Sequence, residues 1–213
     1  MNHLYEQLTA LKLTGFRDAL KKQLAQPGTY QELGFEERLS LLTAEELTCR
    51  ENRKAERLIK HARFRLNAEL SKLDYRNNRG LDRALIRSLS QGNWLTLKQN
   101  ILLTGATGSG KTFLACALGH NACRQGYKVY YYRLKALMEQ CYQGHADGRY
   151  SKLLTRLNNS DLLLLDDWGL EPLSSEQRSD LLEIVDLMYQ RGSIIVVSQL
   201  PVENWYKMIG DST

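Results

Sequence analysis

No apolar run in this 213-residue sequence approaches the roughly 18 residues that a membrane-spanning helix needs, so no span and no membrane partner are predicted. Residues 1–10, with polar Asn2, His3, Glu6 and Gln7, lack the apolar centre of a secretory signal, and a cytoplasmic protein is expected. Cysteine is scarce: Cys49, Cys116, Cys123 and Cys141 fall at no CxxC spacing, and His3, His61, His120 and His145 are scattered rather than clustered. These absences argue against a disulfide framework and a zinc site, and they predict buried, inert thiols. No internal repeat or low-complexity tract is visible. What is present is ordinary globular composition, 43% hydrophobic and 25% charged, which excludes a disordered chain or a fibre. The length suffices for one large domain, or for a modest domain with a helical appendage.

The charge is unevenly placed. Residues 1–99 hold 18 basic and 12 acidic side chains, net +6, whereas residues 100–213 hold 11 and 12, net −1. The excess lies mainly in residues 50–87, where 12 basic and 5 acidic groups give net +7, with Phe64 and Tyr75 interleaved. Such a segment suits an anionic partner, and Arg57, Lys60, Arg63, Arg65 and Arg76 are candidate contacts to DNA phosphates. A solvated basic helix that packs between subunits carries the same pattern, and charge does not choose between the two.

Apolar Leu4, Leu8, Leu11, Phe16, Leu20 and Leu24 recur at three to five residues and predict a helix over residues 4–24, ended by Pro27-Gly28. A second helical region opens near Phe35 and meets neither proline nor glycine until Gly80; residues 77–80 are the candidate linker. These helices form an all-α domain over residues 1–75. From Asn100 the texture changes to short apolar runs alternating with amphipathic stretches. Strands are predicted at 101–104, 129–132, 162–165 and 194–198, and helices near 112–125, 134–142, 175–190 and 202–208. This alternation implies an α/β domain, residues 76–213, with parallel strands, right-handed crossovers and ligands at the carboxyl ends of the strands.

Chemistry enters with Gly105-Ala106-Thr107-Gly108-Ser109-Gly110-Lys111-Thr112, a complete GxxxxGK[ST] between a strand and a helix and continued by Phe113. Glycines let the backbone wrap phosphates, amides and a helix N-terminus hold negative charge, Lys111 reaches the β- and γ-phosphates, and Thr112 ligates Mg²⁺. ATP and Mg²⁺ are the cofactors this motif implies. The apolar run Leu162-Leu163-Leu164-Leu165 then delivers Asp166 to the metal and Asp167 toward an attacking water. Ser198 and Gln199, ending the run at 194–197, are candidates to orient that water or contact the γ-phosphate. Tyr130, Tyr131 and Tyr132 read as packing residues, and Trp168-Gly169 as a turn away from the site.

Residues 75–213 resemble the IstB family of transposition helper ATPases, related to DnaC-type helicase loaders within the AAA+ superfamily. The likeness is carried by Arg79-Gly80-Leu81-Asp82, Gly92-Asn93-Trp94, the phosphate loop, Asp166-Asp167-Trp168-Gly169, and Ser198-Gln199-Leu200-Pro201 followed by Trp205. It implies a parallel sheet of order 5-1-4-3-2, with Lys111 and Thr112 in Walker A, Asp166 and Asp167 in Walker B, and Ser198 or Gln199 as sensor 1. It further implies ATP-dependent homo-oligomers on duplex DNA and partnership with a transposase of the same mobile element; loading a replicative helicase is the alternative. The family continues beyond Gly210-Asp211-Ser212-Thr213 into an arginine that acts on a neighbour's nucleotide and then a fifth strand, neither of which is in this sequence. A shortened product, with ATP binding better preserved than hydrolysis, is therefore expected.

Overall fold

The computed structural model describes residues 2–75 and 81–206. The expected linker at 77–80, Arg76, Arg79, residues 207–208 of the last expected helix and residues 210–213 lie outside the described residues. The chain divides into two compact units, Met1–Glu56 and Arg57–Thr213.

In the first unit the single helix expected over 4–24 is two, α1 (Asn2–Ala10) and α2 (Thr14–Ala25). The break is a left-handed residue, Lys12 at φ 58°, with the Leu13 amide returning to the Leu8 carbonyl at 2.8 Å. The five-residue gap between Leu11 and Phe16 was the sign of two registers rather than one. A short helix, α3 (Pro27–Tyr30), precedes the long α4 (Phe35–Ala62), within which the boundary between units falls. At Gly15 of α2 a Cβ would stand 2.6 Å from the Cβ of Cys49 on α4, so this close crossing admits no larger residue. Buried Glu46 of α4 accepts the Phe16 amide at 3.0 Å and Arg50 Nε at 2.6 Å. Burial pushes the Glu46 carboxyl up, but the donors together outweigh it and hold the group below its ordinary value.

The second unit contains α5 (Arg83–Ser90), α6 (Asn93–Thr96), β1 (Ile101–Thr104), α7 (Lys111–Arg124), β2 (Val129–Arg133), α8 (Leu134–Asp147), α9 (Tyr150–Asn158), β3 (Leu162–Trp168), α10 (Ser175–Met188) and β4 (Ser193–Ser198). Asp82 caps α5, accepting the Ala84 amide at 2.7 Å, and a reciprocal Ser174–Gln177 box opens α10. All strand pairs are parallel, in the order β1-β4-β3-β2. This is the 1-4-3-2 part of the expected 5-1-4-3-2 order; among the described residues no fifth strand lies beside β1. Helix α9 was not foreseen. Gly148, left-handed at φ 74°, ends α8 and starts a separate amphipathic helix whose Leu153 and Leu157 are buried.

Alternation along the strands builds two cores. Leu162, Leu164, Ile195, Val197 and Tyr131 face the α7 side, while Leu163, Leu165, Ile194, Val196 and Tyr132 face α8, α9 and α10. Leu162 through Leu165 are fully buried, each worth about 1.5–3 kcal/mol in water exclusion, so β3 is the rigid rail on which the carboxylates ride. The buried-thiol expectation holds for Cys116, Cys123 and Cys141, and burial pushes Cys123 and Cys141 up to about 12. No helix among the described residues is long and apolar enough to cross a membrane.

Candidate functional site

The site forms where β1, β3 and β4 end. Between β1 and α7 the chain turns through Gly105, Gly108 and Gly110 at φ 148°, 77° and 93°, a path that L side chains resist and that leaves a concave backbone. Lys111, the first residue of α7, folds back over it, donating to the Gly105 and Ala106 carbonyls at 2.7 Å each. Its ammonium therefore sits at the mouth of an anion cradle formed by a glycine-rich turn and a helix N-terminus. Open space flanks the loop on both sides. One cleft, about 620 Å³, joins the loop from Gly105 to Lys111 with apolar Leu73, Leu81, Leu103 and Phe113. The other, about 380 Å³, joins Thr107 and Thr112 to Asp166, Asp167 and Gln199. Half-buried Phe113 also packs into the core beneath the first cleft, and so supports the loop.

Asp166 is 1% exposed, and three donors surround it: Tyr131 Oη at 2.7 Å, Thr112 Oγ1 at 3.2 Å and the Asp167 amide at 2.8 Å. Among the described residues no cation pairs with it within 4.0 Å. A carboxylate buried among neutral donors alone is costly, and a divalent cation shared with Thr112 would offset that cost. The Thr112–Asp166 contact thus brings together the two residues predicted to hold Mg²⁺, and the hard oxygen donors fit that ion. Tyr131, expected from the sequence only to pack, also grips Asp166. Burial, reinforced by the hydrogen bond to Asp166 and its charge, drives the Tyr131 phenol well above its ordinary value, so it stays a donor.

Asp167 is set apart from its neighbour by the backbone. Pairing between β3 and β4 skips from Leu165 to Trp168, a bulge that re-aims the two carboxylates, and Asp167 itself is left-handed at φ 59°. Its carboxylate is held by Arg133 Nε at 2.6 Å, with Arg65 at 3.7 Å. Arg65 was expected on DNA phosphates, and Arg133 was not singled out at all. Only the β2–β3 register, which sets Arg133 beside Asp166, shows why the residue after the tyrosine run belongs to the site.

The two residues after β4 separate in role. Gln199 Oε1 accepts Thr107 Oγ1 of the phosphate loop at 2.6 Å, placing its amide at the site. Buried Ser198 instead donates to the Trp168 carbonyl at 3.0 Å and accepts the Leu200 amide at 3.0 Å, closing the turn that follows β4. Trp168 packs on Trp205 with ring centroids 5.1 Å apart, as a structural residue should.

With this geometry in hand, comparison with known proteins is specific. A family model described as IstB-like ATP binding protein matches residues 6–213. The ATP-binding protein of insertion sequence IS1162 from Pseudomonas fluorescens is 46% identical over 200 residues, covering 93% of this chain and 86% of that protein. The insertion-sequence ATP-binding protein y4pL of Sinorhizobium fredii is 42% identical over 208 residues, covering 98% and 84%. Among solved structures, the DnaC helicase loader aligns with a TM-score of 0.56 and 27% identity, over 68% of this chain and 84% of that one. DnaA from Aquifex aeolicus, solved with AMPPCP, aligns with a TM-score of 0.58 at 22% identity over 65% of this chain and 43% of its own, a likeness of fold.

Proposed function

Because the chain belongs to the IstB-like ATP-binding protein family, we propose that this P-loop ATPase is the ATP-dependent DNA-binding helper of an insertion-sequence transposition system. The observation that carries this is the phosphate loop with Thr112 against buried Asp166, in a chain 46% identical to an insertion-sequence ATP-binding protein. Backbone amides and Lys111 bind the phosphates of ATP; Thr112 and Asp166 would hold Mg²⁺, which would supply neutralising charge to the phosphates. Asp167 polarises the attacking water once it exchanges Arg133 and Arg65 for that water, and Gln199 positions the terminal phosphate. In this reading the chain works in the cytoplasm, and ATP favours homo-oligomers on duplex DNA that stimulate the transposase encoded by the same element.

The aligned fold of DnaC supports a second reading, a loader of a replicative helicase. The two separate in a partner test. The full chain with ATP and duplex DNA is expected to raise strand transfer by the element's transposase about tenfold or more, a change of about 1.4 kcal/mol in barrier or occupancy. Unchanged strand transfer, with retention of a replicative helicase on the immobilised chain, contradicts the first reading and favours the second.

A further inference from the structure

Outside the nucleotide clefts, a third concavity of about 330 Å³ opens beside β2. Its walls bring together three guanidiniums, Arg63, Arg133 and Arg156, with His61 and the rings of Tyr130 and Tyr132, and no carboxylate lines it. The arginines come from separate parts of the second unit: the residue just after α4, the end of β2, and α9. Arg156 lies 5.8 Å from the Tyr130 ring and 5.9 Å from the Tyr132 ring and donates to neutral Gln140 at 3.1 Å. Outside the lining, Lys128 adds a fourth cation, its Nζ 5.6 Å from the centre of the Tyr130 ring. Only Arg133 has a carboxylate partner, Asp167; among the described residues neither Arg63 nor Arg156 forms an ion pair. Burial pushes the Tyr132 phenol up, while the charges of Arg156 and Arg63 pull it the other way, so both guanidiniums bear on one point.

Gathering like charges in a concave site costs energy that water and salt only partly relieve, and a polyanion removes that cost. Arg63 is itself left-handed at φ 56°, a conformation that non-glycine residues adopt at a penalty of about 1–2 kcal/mol. Planar guanidiniums suit phosphate oxygens, and flanking tyrosines supply rigid walls and further donors. We infer that this pocket is a phosphodiester-binding site, gripping the backbone of duplex DNA through Arg63 and Arg156. The inference rests on the DNA-binding reading above and deepens it. It moves part of the DNA contact from the N-terminal basic segment onto the ATPase unit, against the strand whose end holds Asp167.

The test uses the full chain, fluorescein-labelled duplex DNA and anisotropy over a range of salt. Arg156→Ala removes one guanidinium from an exposed position; Arg63→Asn removes the other while tolerating the left-handed backbone. Together they are expected to weaken DNA binding about tenfold or more and to reduce the slope of log K against log salt by about 1.8, two contacts at about 0.9 each. Arg156→Lys should recover part of the affinity, and affinity for a fluorescent ATP analogue should stay within about twofold, since neither residue touches the loop. A double variant that matches the parent in affinity and slope overturns the inference. So does inorganic phosphate binding the pocket while DNA affinity is indifferent to both substitutions, which would assign it to a free anion. A parent chain with no DNA affinity overturns the DNA-binding reading as well, so the two failures are distinguishable.

Discussion

Lys111→Ala is expected to weaken ATP binding about a hundredfold or more, about 2.7 kcal/mol, with the fold intact. The magnitude follows from what the ammonium does. Without nucleotide it spends its hydrogens on two loop carbonyls at 2.7 Å; with nucleotide it turns to phosphate oxygens, and each charge-assisted bond contributes about 1.5–3 kcal/mol. The stability cost is small because the loop is exposed and water replaces the ammonium on both carbonyls. Titration of a fluorescent ATP analogue, paired with thermal melting, reads both quantities. Affinity within about threefold of the parent, a difference of under 1 kcal/mol, would remove Lys111 from the site.

Asp166→Asn is expected to act on the metal rather than on the nucleotide. The amide keeps the shape and can still accept from Tyr131, but it brings no charge to a divalent ion. Hydrolysis should fall about a thousandfold, roughly 4 kcal/mol of lost charge stabilisation, and the Mg²⁺-dependent gain in ATP affinity should largely vanish. Metal-free binding should remain within about tenfold, because the loop and Lys111 are untouched. Thermal stability in the absence of metal should hold or rise, since a buried carboxylate with no cation partner among the described residues is replaced by a neutral group. Magnesium titrations of nucleotide affinity decide the matter even at low turnover. A variant with the parent's Mg²⁺ dependence would assign the metal to other ligands.

How much of this was legible follows from where the information lies along the chain. The phosphate loop is local: strand, glycines, lysine and threonine are consecutive, so their chemistry and place can be read directly. The run Leu162–Leu165 ending in two aspartates is nearly as local, and β3 carries both toward its carboxyl end, although it continues to Trp168. Contacts between elements were not legible. Tyr131 reaches Asp166 across 35 residues, and Arg133 and Arg65 reach Asp167 only because of strand register and the path after α4. Apolar spacing shows a break only as a change of register: the five-residue gap from Leu11 to Phe16 was its one trace between α1 and α2, and the left-handed Gly148 before α9 left a glycine as its only sign. The uneven charge was plain, but its reach was not. Arg156 lies in the near-neutral half, and only the fold sets it beside Arg63.

The central claim is that nucleotide at the Gly105–Thr112 loop controls assembly of this chain on duplex DNA. The mass of complexes formed on a defined duplex, with ATP and Mg²⁺, with ADP and without nucleotide, tests it most directly. The account predicts a step to multi-subunit complexes with ATP alone, and no step for Lys111→Ala at the same concentration. Equal masses in all three conditions, or nucleotide-dependent assembly that survives loss of Lys111, would contradict it.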